Sequence, residues 1–201
     1  FNSGSTMSLV KITPYKISCY WRGDSTIKVW ENKNVIFESE SHNSSNESEH
    51  SRMCLRGIAT NDGWAIKVLN ETTLTMEPSK YYILEHQIDN NGKQKVDALN
   101  MTNCLGHNNK TGGHIHEKHI ELYPDKSYDV ITASDGFWDM TCDKDDVLRY
   151  SDAIELTKFV KQRWEQEWIY TFPGSEDRKN TIPGRDDIGI AKWSGNVVHL
   201  D

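Results

Sequence analysis

Two stretches of this chain place carboxylates where strands would end. In the first, the apolar run 130–133 leads into Ser134-Asp135-Gly136-Phe137-Trp138-Asp139. The run is too short and too bounded for a helix, and Asp135-Gly136 signals a turn, so Asp135 is expected at the end of a strand beside the open edge of a core. An Asp-Gly pair by itself ordinarily does no more than turn the chain. The second stretch changes that reading: Gly184-Arg185-Asp186-Asp187 opens directly into the apolar run 188–193. Two strand ends that each bear Asp can meet. Carboxylates gathered in a cleft attract hard metal cations.

The remaining elements must hold those ends in place. Residues 7–12 form a plausible strand, and the β-prone runs 17–21 and 26–30 flank Arg22-Gly23-Asp24-Ser25, which predicts a hairpin. Arg22-Gly23-Asp24 also spells a cell-adhesion tripeptide, a string too short to carry weight. Residues 38–50 are rich in Ser, Glu and Asn and predict a mobile acidic loop. From 54 to 103 short apolar runs alternate with polar turns, the pattern of extra strands or a flap-like insertion rather than a separate domain. His114 and His116 would share one face of a strand, which is either a polar strand or a transition-metal site lacking a full ligand set. Ala153, Leu156, Phe159, Val160, Trp164 and Trp168 recur at helical spacing and predict a helix across 151–170, with Ser151 or Asp152 as its cap.

Composition bounds the function. The chain has 201 residues, enough for one domain with a sizeable core, yet only 36% are hydrophobic and the mean hydropathy is -0.72. A net charge of -7 and no Lys/Arg-rich face argue against nucleic acid or anionic membrane as partners. No apolar run is long enough to span a bilayer and no signal-peptide pattern is present, so the expectation is a soluble, intracellular protein, cytoplasmic or nuclear. The first residue is Phe1 rather than Met, so a preceding segment is expected. Cys19, Cys54, Cys104 and Cys142 are scattered without a Cys-x-x-Cys pair, which disfavours structural zinc and suits reduced thiols, two disulfides being the alternative.

The ordered set of motifs resembles the metal-dependent serine/threonine phosphatases of the protein phosphatase 2C family. Ser3-Gly4-Ser5-Thr6 resembles the family's Ser-Gly-(Ser/Cys)-Thr, and Arg22-Gly23-Asp24-Ser25 its Val/Cys-Gly-Asp-Ser turn. Thr102-Asn103-Cys104-Leu105-Gly106-His107 resembles Thr/Ser-Arg-x-Leu-Gly-Asp. Ser134-Asp135-Gly136-Phe137-Trp138-Asp139 resembles the Asp-Gly-(Ile/Leu)-Trp-Asp signature, and Arg185-Asp186-Asp187 the Arg-Asp-Asn before the last strand. The resemblance implies an α+β fold: an α/β/β/α sandwich of two antiparallel sheets flanked by helices, incomplete at its N-terminus. It also implies two Mg²⁺ or Mn²⁺ ions ligated by Asp135 and Asp186, with Asp24 serving a third, weaker ion; Asp187, standing where the family has Asn, would add either a ligand or only repulsion. The substrate would be a phosphoprotein.

The chain departs from the family pattern in several places. The Asp-Gly-His-Gly segment, which supplies the other bridging Asp, is absent, as are an upstream phosphate-binding Arg and its acidic companion. Thr26, Asn103 and His107 stand where the family has Arg, Arg and Asp. Two readings therefore stand: a phosphatase acting on phosphoserine and phosphothreonine, completed by an upstream polypeptide, or a catalytically inactive phosphatase-like scaffold or regulator.

Overall fold

A computed structural model describes residues 4–43, 45–55, 90–92, 101–106, 111–142, 146–165 and 186–196, together with the backbone of strands at 58–60, 65–68, 75–76, 81–88, 94–99, 168–171 and 178–180. The architecture is mixed α and β, mostly strands in antiparallel sheets. The first half of the chain contributes β1 (Gly4–Ser5), β2 (Met7–Ile12), β3 (Lys16–Arg22), β4 (Thr26–Glu31), β5 (Asn34–Glu38) and helix α1 (Glu47–Cys54). Then come β6 (Ile58–Thr60), β7 (Ala65–Val68), β8 (Thr75–Met76), β9 (Tyr81–Ile88), β10 (Gln94–Leu99), β11 (Leu105–Gly106), β12 (His116–Glu121) and β13 (Ser127–Ala133). The chain continues through α2 (Asp135–Trp138), α3 (Ala153–Trp164), β14 (Trp168–Thr171), β15 (Arg178–Asn180) and β16 (Ile190–Asn196).

Two sheets carry the described core. One has the order β12-β3-β2 and the other β16-β13-β4-β5. Strand alternation decides what lies between them. Ile17, Cys19 and Trp21 of β3 pack with Ile27 and Val29 of β4 and with Tyr128 and Val130 of β13 in one buried cluster. The opposite residues, Trp30, Ile131 and Ala133, belong to a second cluster with Leu156, Val160 and Trp164 of α3. The second sheet is thus covered on both faces. Thr132 Oγ1 donates to Ser8 Oγ at 2.7 Å, a direct tie between the two sheets.

The expected hairpin over 17–30 is not formed. β3 pairs with β2 and β12, whereas β4 pairs with β13 and β5, so the intervening turn carries the chain from one sheet to the other. Both strands are apolar enough to bury the facing sides, which favours an arch over a pair that would leave one face open. The expected helix across 151–170 ends at Trp164. Asp152 caps it, its Oδ1 accepting from the N–H groups of Ile154 and Glu155 at 2.8 and 2.9 Å. Trp168 instead begins β14, paired with β7, because the run Trp168-Ile169-Tyr170-Thr171 is as β-prone as it is helix-spaced. The extra strands expected within 54–103 are present as β6 to β10.

The acidic segment 38–50 is in part built into the fold. Ser39, His42 and Glu49 are buried, and α1 begins at Glu47 behind the cap Asn46. What draws it in is a charge-assisted network. Arg52 reaches the Glu49 carboxylate through Nε and Nη2 at 3.1 and 2.7 Å, and Thr102 Oγ1 donates to the same carboxylate at 2.7 Å. The guanidinium also donates to the carbonyls of Thr111, at 2.5 Å, and Thr102. Arg52→Ala would leave a buried carboxylate without its cation, so it is expected to destabilise the fold by about 3 kcal/mol. The measurement is the urea midpoint. Arg52→Lys should recover only part of the loss, because an ammonium cannot serve partners in that fork geometry. Among the described residues, no helix is long and apolar enough to cross a membrane.

Candidate functional site

The turn that carries the chain between the sheets also presents Asp24. Gly23 has φ +106°, and a Cβ there would come within 2.5 Å of Thr6 Cγ2, so glycine is required both for its conformation and for the close approach of β1's end. The turn is pinned from behind: the Gly23 N–H donates to His42 Nδ1 at 3.0 Å, and the His42 N–H donates to the Gly23 carbonyl at 3.0 Å. Asp135 stands immediately beyond β13, where it opens the single turn of α2 rather than a simple reverse turn. Its Oδ1 accepts from the Gly136 N–H at 2.9 Å. One helical turn later, the Asp139 N–H donates to the Asp135 carbonyl at 2.8 Å. The i, i+4 spacing puts both side chains on the same side of α2.

Asp186 arrives on the segment before β16. Ser134 holds that segment: its Oγ donates to the Asp187 carbonyl at 2.8 Å and accepts from the Gly189 N–H at 3.0 Å, while its N–H donates to the Gly189 carbonyl at 2.9 Å. Gly136 lies directly beneath, where an added Cβ would sit 2.5 Å from the Asp187 oxygen and 3.1 Å from Asp186 Cβ. Gly136→Ala is therefore expected to push residues 186–187 away from α2. The expected cost is about 1–3 kcal/mol of stability, with roughly tenfold weaker Mn²⁺ binding. Thermal unfolding and calorimetric Mn²⁺ titration would read the two effects separately.

Four carboxylates from three distant segments face one another. Burial pushes the Asp24 carboxyl up to about 7, reinforced by the charge on Asp135 and, less, by Asp186. Burial likewise pushes Asp139 up to about 7, with Asp135, Asp186 and Asp24 adding to it. Asp135 is raised by burial and then by Asp186. The charged groups acting on these three, among the described residues, are all carboxylates. Such a cluster is unfavourable alone and is matched by a divalent cation with oxygen preference.

The expected residues Asp24, Asp135 and Asp186 are thus brought together. Asp187 contributes through its backbone, and none of the charge influences on the cluster comes from its carboxylate. Asp139 is a member that sequence reasoning passed over. Its signal was the Asp-x-x-x-Asp spacing, readable only once a helix rather than a turn is assigned to Asp135-Gly136. Among the described residues, no three acidic, imidazole or thiol groups are arranged so that one ion could be held by all of them. Mg²⁺ commonly takes one or two carboxylates and keeps several waters, so the donor set fits ions of that kind.

No protein-family model matches the chain, and no curated protein matches it. Among solved structures it is similar to one titled the structure of a C. elegans sex determining protein, with a TM-score of 0.50 and 17% identity. That likeness covers 94% of this chain and 40% of the other, so this chain spans well under half of that protein's length. At such low identity the likeness concerns the fold alone.

The other expected positions serve the frame around the cluster. Asn103 is buried, accepting from Arg22 Nε at 2.7 Å and donating to the His114 carbonyl at 3.1 Å. Arg22 Nη2 also donates to the Gly112 carbonyl at 2.6 Å, so this pair locks the Asp24 turn to residues 112–114. Thr26 receives the Trp138 indole N–H at its carbonyl, 3.0 Å away, linking the turn to α2. Arg185 and His107 lie outside the described residues. His114 falls outside β12, and its ring stacks on His116 at 4.4 Å, while His116 meets His42 at 4.5 Å. Burial, followed by His116, pushes His42 down to about 4, which keeps its Nδ1 available to the Gly23 N–H.

Proposed function

We propose that the chain is a metal-dependent phosphatase of phosphoserine and phosphothreonine in proteins, built as an α/β/β/α sandwich with its carboxylates at one end of the two sheets. The observation that carries this reading is the convergence of Asp24, Asp135, Asp139 and Asp186, on which, among the described residues, no cation acts. Asp135 and Asp186 would hold a pair of Mg²⁺ or Mn²⁺ ions, with Asp139 and Asp24 completing the set. When bound, such ions acidify water toward neutral pH and neutralise charge on a phosphoryl group. In the reaction a water oxygen bonds to phosphorus while the serine or threonine ester oxygen leaves with a proton, giving a free hydroxyl and inorganic phosphate.

The residues around the cluster prepare it for that chemistry. Burial of Asp24, Asp135 and Asp139 strengthens the charge interactions among them. Ser134 and Gly136 set the approach of Asp186, and the Arg22–Asn103 pair sets that of Asp24. The test is release of phosphate from a phosphothreonine peptide with Mn²⁺ and with chelator, by this chain alone and with any polypeptide encoded upstream. Turnover that chelator abolishes supports the reading. A folded protein that is silent under all these conditions overturns it in favour of a phosphatase-like scaffold.

A further inference from the structure

Helix α1 carries a donor pair of a different chemistry from the carboxylates. Glu49 and Met53 turn one side of this helix into the fold. His50 and Cys54 each follow one of them by a single residue, so they form the adjoining stripe, four residues apart and neighbours on one face. Of the four cysteines, Cys19 and Cys104 are buried and Cys142 is half-buried, whereas Cys54 is exposed and in no disulfide. Its Sγ lies 3.6 Å from His50 Nε2 and 3.8 Å from Nδ1. The near-equal distances place the sulfur beside the ring; a thiol aimed end-on at one nitrogen would leave the other clearly farther away. The backbone under the pair is fixed. Asn46 Oδ1 caps the first turn, accepting from the N–H groups of Ser48 and Glu49 at 3.1 and 3.3 Å, and Arg52 ties the last turn to the Thr102 and Thr111 carbonyls.

That separation is what one tetrahedral ion requires of two such ligands. With Zn–S of about 2.3 Å and Zn–N of about 2.0–2.1 Å, a tetrahedral angle puts sulfur and nitrogen about 3.6 Å apart. We propose that Cys54 and His50 hold a borderline-soft divalent cation, Zn²⁺ above all, on α1. The ring turns about its Cβ–Cγ bond to point a nitrogen at the ion. The thiol gives its proton to the buffer as the S–Zn bond forms, and water fills the other positions. Thiolate and imidazole favour Zn²⁺ over the hard Mg²⁺ and Mn²⁺ that carboxylates prefer, so the site is chemically distinct from the Asp cluster and does not depend on the phosphatase reading. An ion bridging consecutive turns clamps the end of α1, the helix that carries Glu49 and Arg52, so occupancy adds to the stability of the fold.

The experiment uses the full chain, with its thiols reduced and excess Mg²⁺ present to occupy the carboxylates. Co²⁺ serves as the optical stand-in for Zn²⁺, because a thiolate ligand gives it a near-ultraviolet charge-transfer band that nitrogen and oxygen ligands do not. The band should appear with stoichiometric Co²⁺ and be displaced by Zn²⁺. Cys54→Ser should abolish it, and His50→Gln should weaken Co²⁺ binding by at least about tenfold. Cys54→His should restore Zn²⁺ binding without the band, since two imidazoles four residues apart on a helix are also a zinc spacing. Zn²⁺ at about a hundred times its dissociation constant should raise the thermal midpoint of the parent by about 5 °C or more beyond that of Cys54→Ser. A Co²⁺ complex without the sulfur band, or a band untouched by Cys54→Ser, would overturn the site. Equal Zn²⁺ affinity in parent and Cys54→Ser would overturn it too, and would assign that binding to other groups such as His114 and His116.

Discussion

Asp135→Asn is expected to lower Mn²⁺-dependent phosphopeptide hydrolysis by at least about a hundredfold while leaving the metal-free fold as stable as the parent or more so. The two halves of this expectation have one cause. Asp135 adds to the charge repulsion on both Asp24 and Asp139 and is itself raised by burial and by Asp186. Without a cation, removing its charge relieves the other carboxylates. With a cation, the same removal deletes one of the two proposed donors, and loss of even an outer-shell partner commonly weakens metal binding by about 10–100-fold. The amide also keeps the Oδ1 that accepts from the Gly136 N–H, so α2 should stay in place. Metal titration, peptide turnover and thermal unfolding of both proteins test this. Equal activity in mutant and parent would remove Asp135 from the metal site.

The second large effect is the dependence of metal affinity on pH. In the metal-free protein Asp24 and Asp139 hold their protons up to about pH 7, and a cation must displace them. Affinity should therefore rise with pH and flatten above 7. For two groups with values near 7, the loss between pH 7.5 and 5.5 is on the order of several hundredfold. The sign for folding is opposite. These carboxyls are raised above their unfolded value of 3.8, so the metal-free fold takes up protons and is most favoured at the acid end of this window. That contribution is lost as pH rises from about 4 to about 7. Calorimetric Mn²⁺ titration across this range, paired with unfolding in chelator, should give the two opposed trends. A metal affinity flat from pH 5.5 to 7.5 would contradict the burial of these two carboxylates.

Part of this site was legible residue by residue. The strand ends bearing Asp135 and Asp186 follow from short apolar runs beside turn signals, and the body of α3 from Leu156, Val160 and Trp164 at helical spacing behind the Asp152 cap. These are local patterns, set by backbone geometry within one or two turns of chain. Where two local patterns overlap, the sequence leaves the choice open. Trp168 suits the helical stripe and the β-prone run equally, and pairing with β7 selects the strand. The acidic segment reads as solvated because Glu49 and His42 are polar. Their burial depends on Arg52, Thr102 and the Gly23 backbone, partners that no window of sequence contains.

By itself, then, the sequence determined an acidic chain, one long amphipathic helix, the apolar strands of an α+β fold, and Asp135 and Asp186 at two strand ends. The tertiary structure decided that β3 and β4 arch between two sheets instead of pairing, that Asp24 comes to the ends of β13 and β16, and that Asp139 joins it there. The physical reason is range. Propensity and periodicity act between neighbours in the chain, whereas strand partners and carboxylate repulsion are fixed by contacts among residues far apart in it, and only folding brings those together.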